Sequence, residues 1–213
     1  MPGDPWIPGS AYRRPRKDNQ EAYMKTKLIT ITESPDKPFV FDKPGAYVAF
    51  IHNTSGKFIF ELKSSDVYLD IYGLFTGNGT DSFNIETVQL HAAPRSTSNL
   101  FIKGVFKDKS RFNYQGLIRI EKDGQQSHAY QKNQNLILSP DTYVESKPFL
   151  EILANDVFCT HGSTTGKLNE EQLFYVKSRG LSDDEAKDLL VDGFIEEIVD
   201  KVKEKVPDFS ITE

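Results

Sequence analysis

Short strand-like segments follow one another from about Leu28 to Cys159, with no helical segment between them. Most of them are rich in β-branched or aromatic residues and are bounded by Gly, Pro, Asn, Asp or Ser, as strands separated by turns are. This pattern predicts a mainly β fold. The segments are Leu28–Thr32, Ala46–Ile51, Lys57–Leu62, Val67–Tyr72, Phe83–Leu90, Asn99–Phe106, Gly116–Ile120, Leu136–Leu138 and Phe149–Leu153.

The connections between these segments do not decide the architecture. Asn78-Gly79 and Asp123-Gly124 are typical hairpin turns, but most of the other connections lack such a signal. No sequence repeat is regular enough to indicate a solenoid by itself. A sandwich, a barrel and a β-solenoid therefore all remain open from the pattern.

The periodicity changes after Gly166 and becomes helical. Asn169–Gln172 and Ser182–Glu185 have the form of capping boxes, which predicts helices over 170–178 and 183–203. Gly193 is a candidate break within the second helix, and Pro207 lies beyond its end. One apolar stripe with three- and four-residue steps comprises Ala186, Leu189, Leu190, Phe194, Ile198 and Val202.

The changes in charge and periodicity along the chain divide it into three predicted regions. Residues 1–27, with a net charge of +3, form a disordered or loosely packed basic arm. Residues 28–166 form the β core, and residues 167–213, with a net charge of −6, form a C-terminal helical domain.

Composition excludes several function classes. The net charge of −5 and the lack of a basic stripe with interleaved aromatic residues argue against nucleic acid as the main partner. No apolar run reaches the roughly 20 residues of a membrane span, and the N-terminal residues do not resemble a secretory signal. The single cysteine, Cys159, excludes an internal disulfide, so we expect a cytoplasmic protein.

Cys159 and His161 are the most suggestive pair for chemistry. If their segment is extended, both side chains lie on one face with Cα atoms about 6.5 Å apart, and both could approach a metal. Spacing alone favours a different interpretation, a small buried cysteine beside a hydrogen-bonded histidine. Cys–His nucleophilic catalysis is a weaker alternative, because residues two apart in a strand rarely reach hydrogen-bond distance.

Two other motifs give only weak indications of nucleotide binding or of glycoside chemistry. Gly162–Leu168 looks like a phosphate loop, but three residues instead of four separate its glycines, and Leu168 stands where Ser or Thr binds magnesium. If ATP matters to this protein, another subunit binds it. Acidic residues on strands, such as Asp66 and Asp70, would support glycoside chemistry only if they flanked a groove.

Roughly residues 85–200 of the chain resemble the SufB/SufD family of iron–sulfur cluster assembly scaffolds. The Cys159-Thr160-His161-Gly162 sequence before the helices is most similar to the SufD branch. The blocks that carry the resemblance are His91–Ser98, Lys103–Arg111, Gly116–Ile120, Ala129–Ser139, Lys147–Gly166 and Leu168–Lys187.

The resemblance implies a right-handed parallel β-helix core with a small C-terminal helical domain. It implies that His161, with Cys159 beside it, is a metal ligand of a transient iron–sulfur cluster shared with a partner subunit. SufB subunits of this family contribute cysteine and acidic ligands. It also implies that the helices dock the SufC ATPase, and the candidate docking residues are Asp184, Asp188, Leu189, Leu190 and Phe194.

We therefore expect a non-catalytic scaffold subunit of a Suf complex, in which ATPase activity belongs to a partner. The dimer partner is a SufB-like subunit or a second copy, and the length suggests a short form without the family's N-terminal helical domain. The apolar helical stripe either caps the β-helix end or faces the partner. The alternatives are a β-helix carbohydrate-active enzyme and a metal-free adaptor for an ABC-type ATPase.

Overall fold

A computed structural model describes residues 26–211 of the chain. The predicted basic arm lies outside these residues except for Thr26 and Lys27, and Lys27 opens the first strand. The elements are β1 (Lys27–Ile31), β2 (Phe39–Phe41), β3 (Gly45–His52), β4 (Gly56–Leu62), β5 (Val67–Gly77), β6 (Ser82–His91), β7 (Thr97–Phe106), β8 (Arg111–Ile120), β9 (His128–Ile137), β10 (Tyr143–Ile152), β11 (Phe158–Gly166), α1 (Glu170–Lys177) and α2 (Asp183–Lys203).

The strands alternate between two parallel sheets. The odd sheet has the order β1-β3-β5-β7-β9-β11, and the even sheet has the order β10-β8-β6-β4-β2. The chain therefore passes from one sheet to the other and advances one strand position in each turn, which makes a β-solenoid of about four turns. The expected parallel β-helix with C-terminal helices is confirmed.

The space between the two sheets, here called the lumen, is filled mainly by aliphatic and aromatic side chains. Parallel pairing in register stacks each lumen residue on an equivalent residue of the next turn, as Ile71 stacks beside Leu100. The Phe106 and Phe112 rings stack with centroids 4.7 Å apart. Each fully buried side chain of this size contributes about 1.5–3 kcal/mol relative to exposure, so the columns stabilise the stacked turns.

Both predicted helices are confirmed. The Asn169 side chain caps α1 by accepting a hydrogen bond from the Gln172 backbone N–H, and Ser182 with Glu185 forms a complete capping box on α2. The candidate break at Gly193 is wrong, because α2 runs through it without interruption. A single glycine costs a helix only about 1 kcal/mol, which tertiary packing offsets.

Helix α2 packs on the outer flank of the odd sheet. Ile198 and Val202 are fully buried against a cluster that includes Phe50, Tyr72 and Phe101. These aromatic residues alternate with the lumen residues of β3, β5 and β7, so they face outward. The expectation that the stripe caps the end of the solenoid is therefore wrong, because its C-terminal half covers a flank. Among residues 26–211, no strand pairs with the outer edges of β10 and β11.

Candidate functional site

Cys159 and His161 lie on β11, the last strand of the odd sheet. Cys159 is in register with Ala129 and His161 with Gln131, both of which face the lumen. The two side chains therefore share the lumen side of the strand, as predicted from their spacing. Among the described strands, β11 pairs only with β9, so its other edge is free at the end of the solenoid.

The two side chains have different surroundings. Cys159 is half-buried and packs against a small cluster that contains Ile118, Ile120 and Ala129. This burial raises the pKa of the Cys159 thiol to about 11, so it is protonated near neutral pH. His161 is exposed and has no hydrogen-bond partner among residues 26–211. The imidazole is thus free to bind, whereas the thiol must first lose a proton.

The lumen becomes polar beside His161. Strand β9 places Gln131, Asn133 and Asn135 where β7 has Leu100, Ile102 and Gly104. These three side chains, here called the amide ladder, are at most 3% exposed. Gln131 Oε1, Asn133 Nδ2 and Asn135 Oδ1 are buried without a hydrogen-bond partner in the described part of the chain. Buried polar atoms without partners are uncommon, so the ladder has hydrogen-bonding capacity that the described residues leave unused.

The last turn of the solenoid exposes large apolar side chains. Phe149 is 50% exposed and Phe158 51%, and Leu150 and Leu153 are also exposed. They lie on or beside β10 and β11, the two end strands of the sheets. An apolar surface next to two free strand edges is typical of an interface with another chain.

Residues 26–211 contain no group of three or more His, Cys, Asp and Glu side chains that could hold a metal ion. Within this described range, His161 and Cys159 therefore have no third side chain of this kind near them. Over the same residues, no helix has the length and apolarity needed to cross a membrane.

The five candidate docking residues differ in accessibility. Asp184 and Asp188 are exposed, and Leu189 is 51% exposed. Leu190 and Phe194 are only partly accessible. Phe194 lies against the odd sheet, where the Lys103 ammonium sits 4.0 Å from the centre of its ring. Asp184, Asp188 and Leu189 are thus the members of the set that a partner can reach directly.

Two exposed aromatic residues of α1 were not singled out from the sequence. Phe174 is 75% exposed and Tyr175 59%, and α1 buries none of its residues. Arg179 donates a hydrogen bond to the Tyr175 hydroxyl at 2.8 Å. The available sequence signal was the adjacent aromatic pair Phe174 and Tyr175 in a short predicted helix. Such residues normally pack inside a protein, but α1 buries none of its residues.

Lys103 was also missed. Its side chain is 1% exposed, and its Nζ donates to the Phe194 carbonyl oxygen at 2.6 Å and to Glu197 Oε2 at 2.5 Å. Burial lowers the pKa of Lys103, and the hydrogen bond and charge of Glu197 oppose this shift. A lysine inside the apolar run Leu100–Phe106 was the available signal. The contact fixes α2 to β7, two strands from β11.

The surface depressions do not favour paired-carboxylate chemistry. Two shallow depressions on the surface of residues 26–211 have volumes of about 520 and 550 Å³. The first has a single carboxylate, Asp141, in its lining, and the second has none. Asp66 forms an ion pair with Arg95, and Asp70 accepts a hydrogen bond from Asn99. Each of these two acids is therefore engaged in its own contact. Gly162 and Gly166 both lie in β11, so the rejected phosphate loop is a strand.

Comparison with known proteins gives consistent matches. A family model described as the SUF system FeS cluster assembly SufBD core domain matches residues 52–194. An iron–sulfur cluster assembly SufBD family protein of Synechocystis is 35% identical over 109 residues, which are 51% of this chain and 24% of that protein. The iron–sulfur cluster assembly protein SufD of Escherichia coli is 33% identical over 103 residues, 48% of this chain and 24% of that protein.

A plant protein also matches. The chloroplastic protein ABCI7 of Arabidopsis thaliana is 34% identical over 124 residues, which are 55% of this chain and 26% of that protein. The matched part of this chain thus spans about a quarter of the length of each of these relatives. The relatives from Synechocystis and Escherichia coli are named as assembly proteins.

Proposed function

The chain belongs to the SufB/SufD family of iron–sulfur cluster assembly proteins, and on this basis we propose that it is a non-catalytic scaffold subunit of a Suf complex. It contributes ligands for a transient cluster at a subunit interface, and its helices dock the SufC ATPase. The observation that carries the proposal is the position of His161 and Cys159 on the lumen side of an end strand with a free edge.

The cluster is cargo in this proposal. Imidazole and thiolate are both donors for iron, but two ligands do not hold a cluster, which normally has four. Since no third His, Cys, Asp or Glu side chain joins them among residues 26–211, the remaining ligands come from a second chain. His161 is the primary donor because it is exposed and unpaired in the described structure, and Cys159 joins only when iron displaces its proton.

The second chain binds at the open end of the solenoid. Strands β10 and β11 offer free edges, and Phe149, Leu153 and Phe158 offer apolar area beside them. A partner that adds strands there satisfies the backbone groups of both edges and covers the apolar side chains. We propose a SufB-like subunit as this partner; a second copy of the chain is the other outcome.

SufC docks on the exposed side of the helical pair. Asp184 and Asp188 are exposed acidic residues of α2, and Leu189, Phe174 and Tyr175 are exposed apolar residues of the same helical pair. An aromatic centre with a charged rim is the usual arrangement of a protein interface. Phe194 lies behind the exposed side, against the odd sheet, and Leu190 is only partly accessible.

Anaerobic co-expression with SufC and a SufB-like subunit tests the proposal. The expected product is a co-purified complex that contains iron and acid-labile sulfide. His161→Ala should lower both by at least half without loss of the complex, because the side chain is exposed. His128→Ala is the matched control, since His128 is exposed on the outer side of the adjacent strand and should leave loading unchanged. Equal loading of the two variants contradicts the ligand proposal.

The docking surface has its own test. Replacing Asp184 and Asp188 together by lysine reverses the charge of the rim, and we expect loss of SufC from the complex while the SufB-like subunit stays bound. The control is a charge reversal at Glu86, which lies on the even sheet, away from the helices. Retention of SufC contradicts the docking proposal. A complex that holds SufC but never iron identifies the metal-free adaptor instead.

A further inference from the structure

Gln131 is the lumen residue next to His161. Strands β9 and β11 pair it directly with His161, and on its other side β7 pairs it with Leu100. Neighbouring strands lie about 4.8 Å apart, so side chains in register on one face are within contact distance. Leu100 has no polar side-chain atom, so within residues 26–211 His161 is the only hydrogen-bonding side chain directly in register with Gln131.

The Gln131 amide is held within the lumen. The residue is 1% exposed, and a Cβ added at Gly116 on the facing β8 strand would come 2.2 Å from Gln131 Nε2. The absence of a side chain at Gly116 therefore makes the room that the amide occupies. Gln131 Oε1 remains buried without a hydrogen-bond partner among the described residues. An acceptor in this state costs about 1–3 kcal/mol unless a donor reaches it.

His161, as a metal ligand, would require a hydrogen-bond acceptor for its second ring nitrogen. A histidine that binds a metal through one ring nitrogen nearly always donates the other ring N–H to an oxygen acceptor, which fixes the tautomer and the orientation of the ring. The exposed imidazole has no such acceptor in the described structure. Rotation of its side chain toward β9 would bring a ring N–H to the acceptor that lacks a donor.

We propose that Gln131 is the positioning residue of His161: Gln131 Oε1 accepts a hydrogen bond from one imidazole N–H and leaves the other ring nitrogen free for iron. The inference rests on the proposed function, because it assigns Gln131 a role in presenting a ligand. Gln131 itself binds no iron. The proposed hydrogen bond, which forms when the His161 side chain rotates toward β9, does not require iron, so it is measurable in the protein without iron.

Nitrogen-15 NMR of the chain alone at pH 8 tests the contact, with His161→Ala used to assign the His161 ring signals. We expect the ratio of the two neutral tautomers of His161 to change about fivefold in Gln131→Met, which keeps the shape and removes the acceptor. Gln131→Glu keeps an acceptor and should preserve the wild-type ratio. Asn135→Leu removes an amide beside Thr165 and should also leave the ratio unchanged.

The unsubstituted protein gives a second readout, an NOE between a His161 ring N–H and the Gln131 side chain. This measurement does not depend on the folding of any variant. Absence of the NOE, or a tautomer ratio that is equal in wild type and Gln131→Met, overturns the proposal.

The iron content of the complex distinguishes failure of the Gln131 proposal from failure of the proposed scaffold function. With the contact present, Gln131→Met should weaken iron binding at the His161 site by about 10- to 100-fold, and Gln131→Glu should restore it. If His161→Ala lowers loading but Gln131→Met does not, the positioning role is wrong and the scaffold function stands. If the NOE is present but neither substitution affects loading, the contact exists and the ligand role of His161 fails.

Discussion

Replacement of Lys103 by methionine should loosen α2 from the solenoid. The lysine stem packs on the sheet and methionine fills much of the same space, so the substitution removes mainly the ammonium group. That group donates to the Phe194 carbonyl oxygen at 2.6 Å and to Glu197 Oε2 at 2.5 Å, and it lies 4.0 Å from the Phe194 ring centre.

The size of the effect follows from opposing contributions. Hydrogen bonds to charged groups are worth about 1.5–3 kcal/mol each, and the ring contact adds about 0.5–2 kcal/mol. Burial of the ammonium costs several kcal/mol, and Glu197 is 46% exposed, so water screens its charge. We expect a net loss of about 1–3 kcal/mol in the free energy of unfolding, concentrated in the attachment of α2.

Hydrogen exchange and urea unfolding measure this effect together. In Lys103→Met, the amides of α2 should exchange faster while those of β5 and β6 keep their protection. Lys132→Met is the matched control, because Lys132 lies on the same outer face of the neighbouring strand and has no hydrogen bond to α2 in the described structure. A double-mutant cycle with Glu197→Gln should give a coupling of about 1 kcal/mol or more. Unchanged α2 protection, with unfolding within 0.5 kcal/mol of wild type, would refute the reasoning.

Three further predictions concern the solenoid itself. Burial lowers the pKa of His91 from 6.5 to about 4, so the unfolded chain binds more protons between these values. Stability should therefore be fully present above pH 6.5 and fall by roughly 3 kcal/mol as the pH drops to 4, and pH-dependent urea unfolding of His91→Gln should show a flatter profile. Because the pKa of Cys159 is about 11 instead of 9, iodoacetamide at pH 7.5 should alkylate it about a hundredfold more slowly than a thiol in the unfolded chain. An alkylation rate within threefold of that of the unfolded-chain thiol would contradict the burial of Cys159. An alanine Cβ at Gly104 would lie 2.3 Å from the Phe106 ring, so Gly104→Ala should lower the free energy of unfolding by about 1–3 kcal/mol and lower the thermal midpoint. Gly166→Ala is the control, because open space surrounds Gly166, and its thermal midpoint should not change.

The strand pattern alone did not predict the solenoid, because equivalent positions in successive turns carry different residue types. Ile71, Leu100, Gln131 and His161 occupy equivalent lumen positions in successive turns of the odd sheet. They are spaced by about 30 residues, yet no residue type recurs among them. Only the resemblance to a family selected the parallel β-helix.

Local signals were more reliable than those that depend on distant contacts. The Ser182–Glu185 capping box placed the start of α2 correctly, because a cap is formed by residues four positions apart or fewer. Strand β9 was recognised only at its end, since its lumen side is amide-rich and lacks the apolar alternation of a buried strand.

The candidate site was predicted in part. Cys159 and His161 do share one face, because alternation along a strand is a local property. Their location at an open end, and the amide ladder beside them, depend on register between turns and could not be inferred. The same holds for Lys103, whose partner in α2 lies 94 residues away along the chain.

The central claim is that His161 is an iron ligand completed by another chain, and selective isotope labelling tests it most directly. This chain, with ¹⁵N-histidine, is assembled anaerobically with an unlabelled SufB-like subunit and SufC, and the reduced cluster is studied by pulsed EPR. The account predicts a ¹⁵N hyperfine coupling from this chain that disappears in His161→Ala and persists in His128→Ala. A cluster that shows no ¹⁵N coupling from the labelled chain, or one held fully by this chain alone, would contradict it.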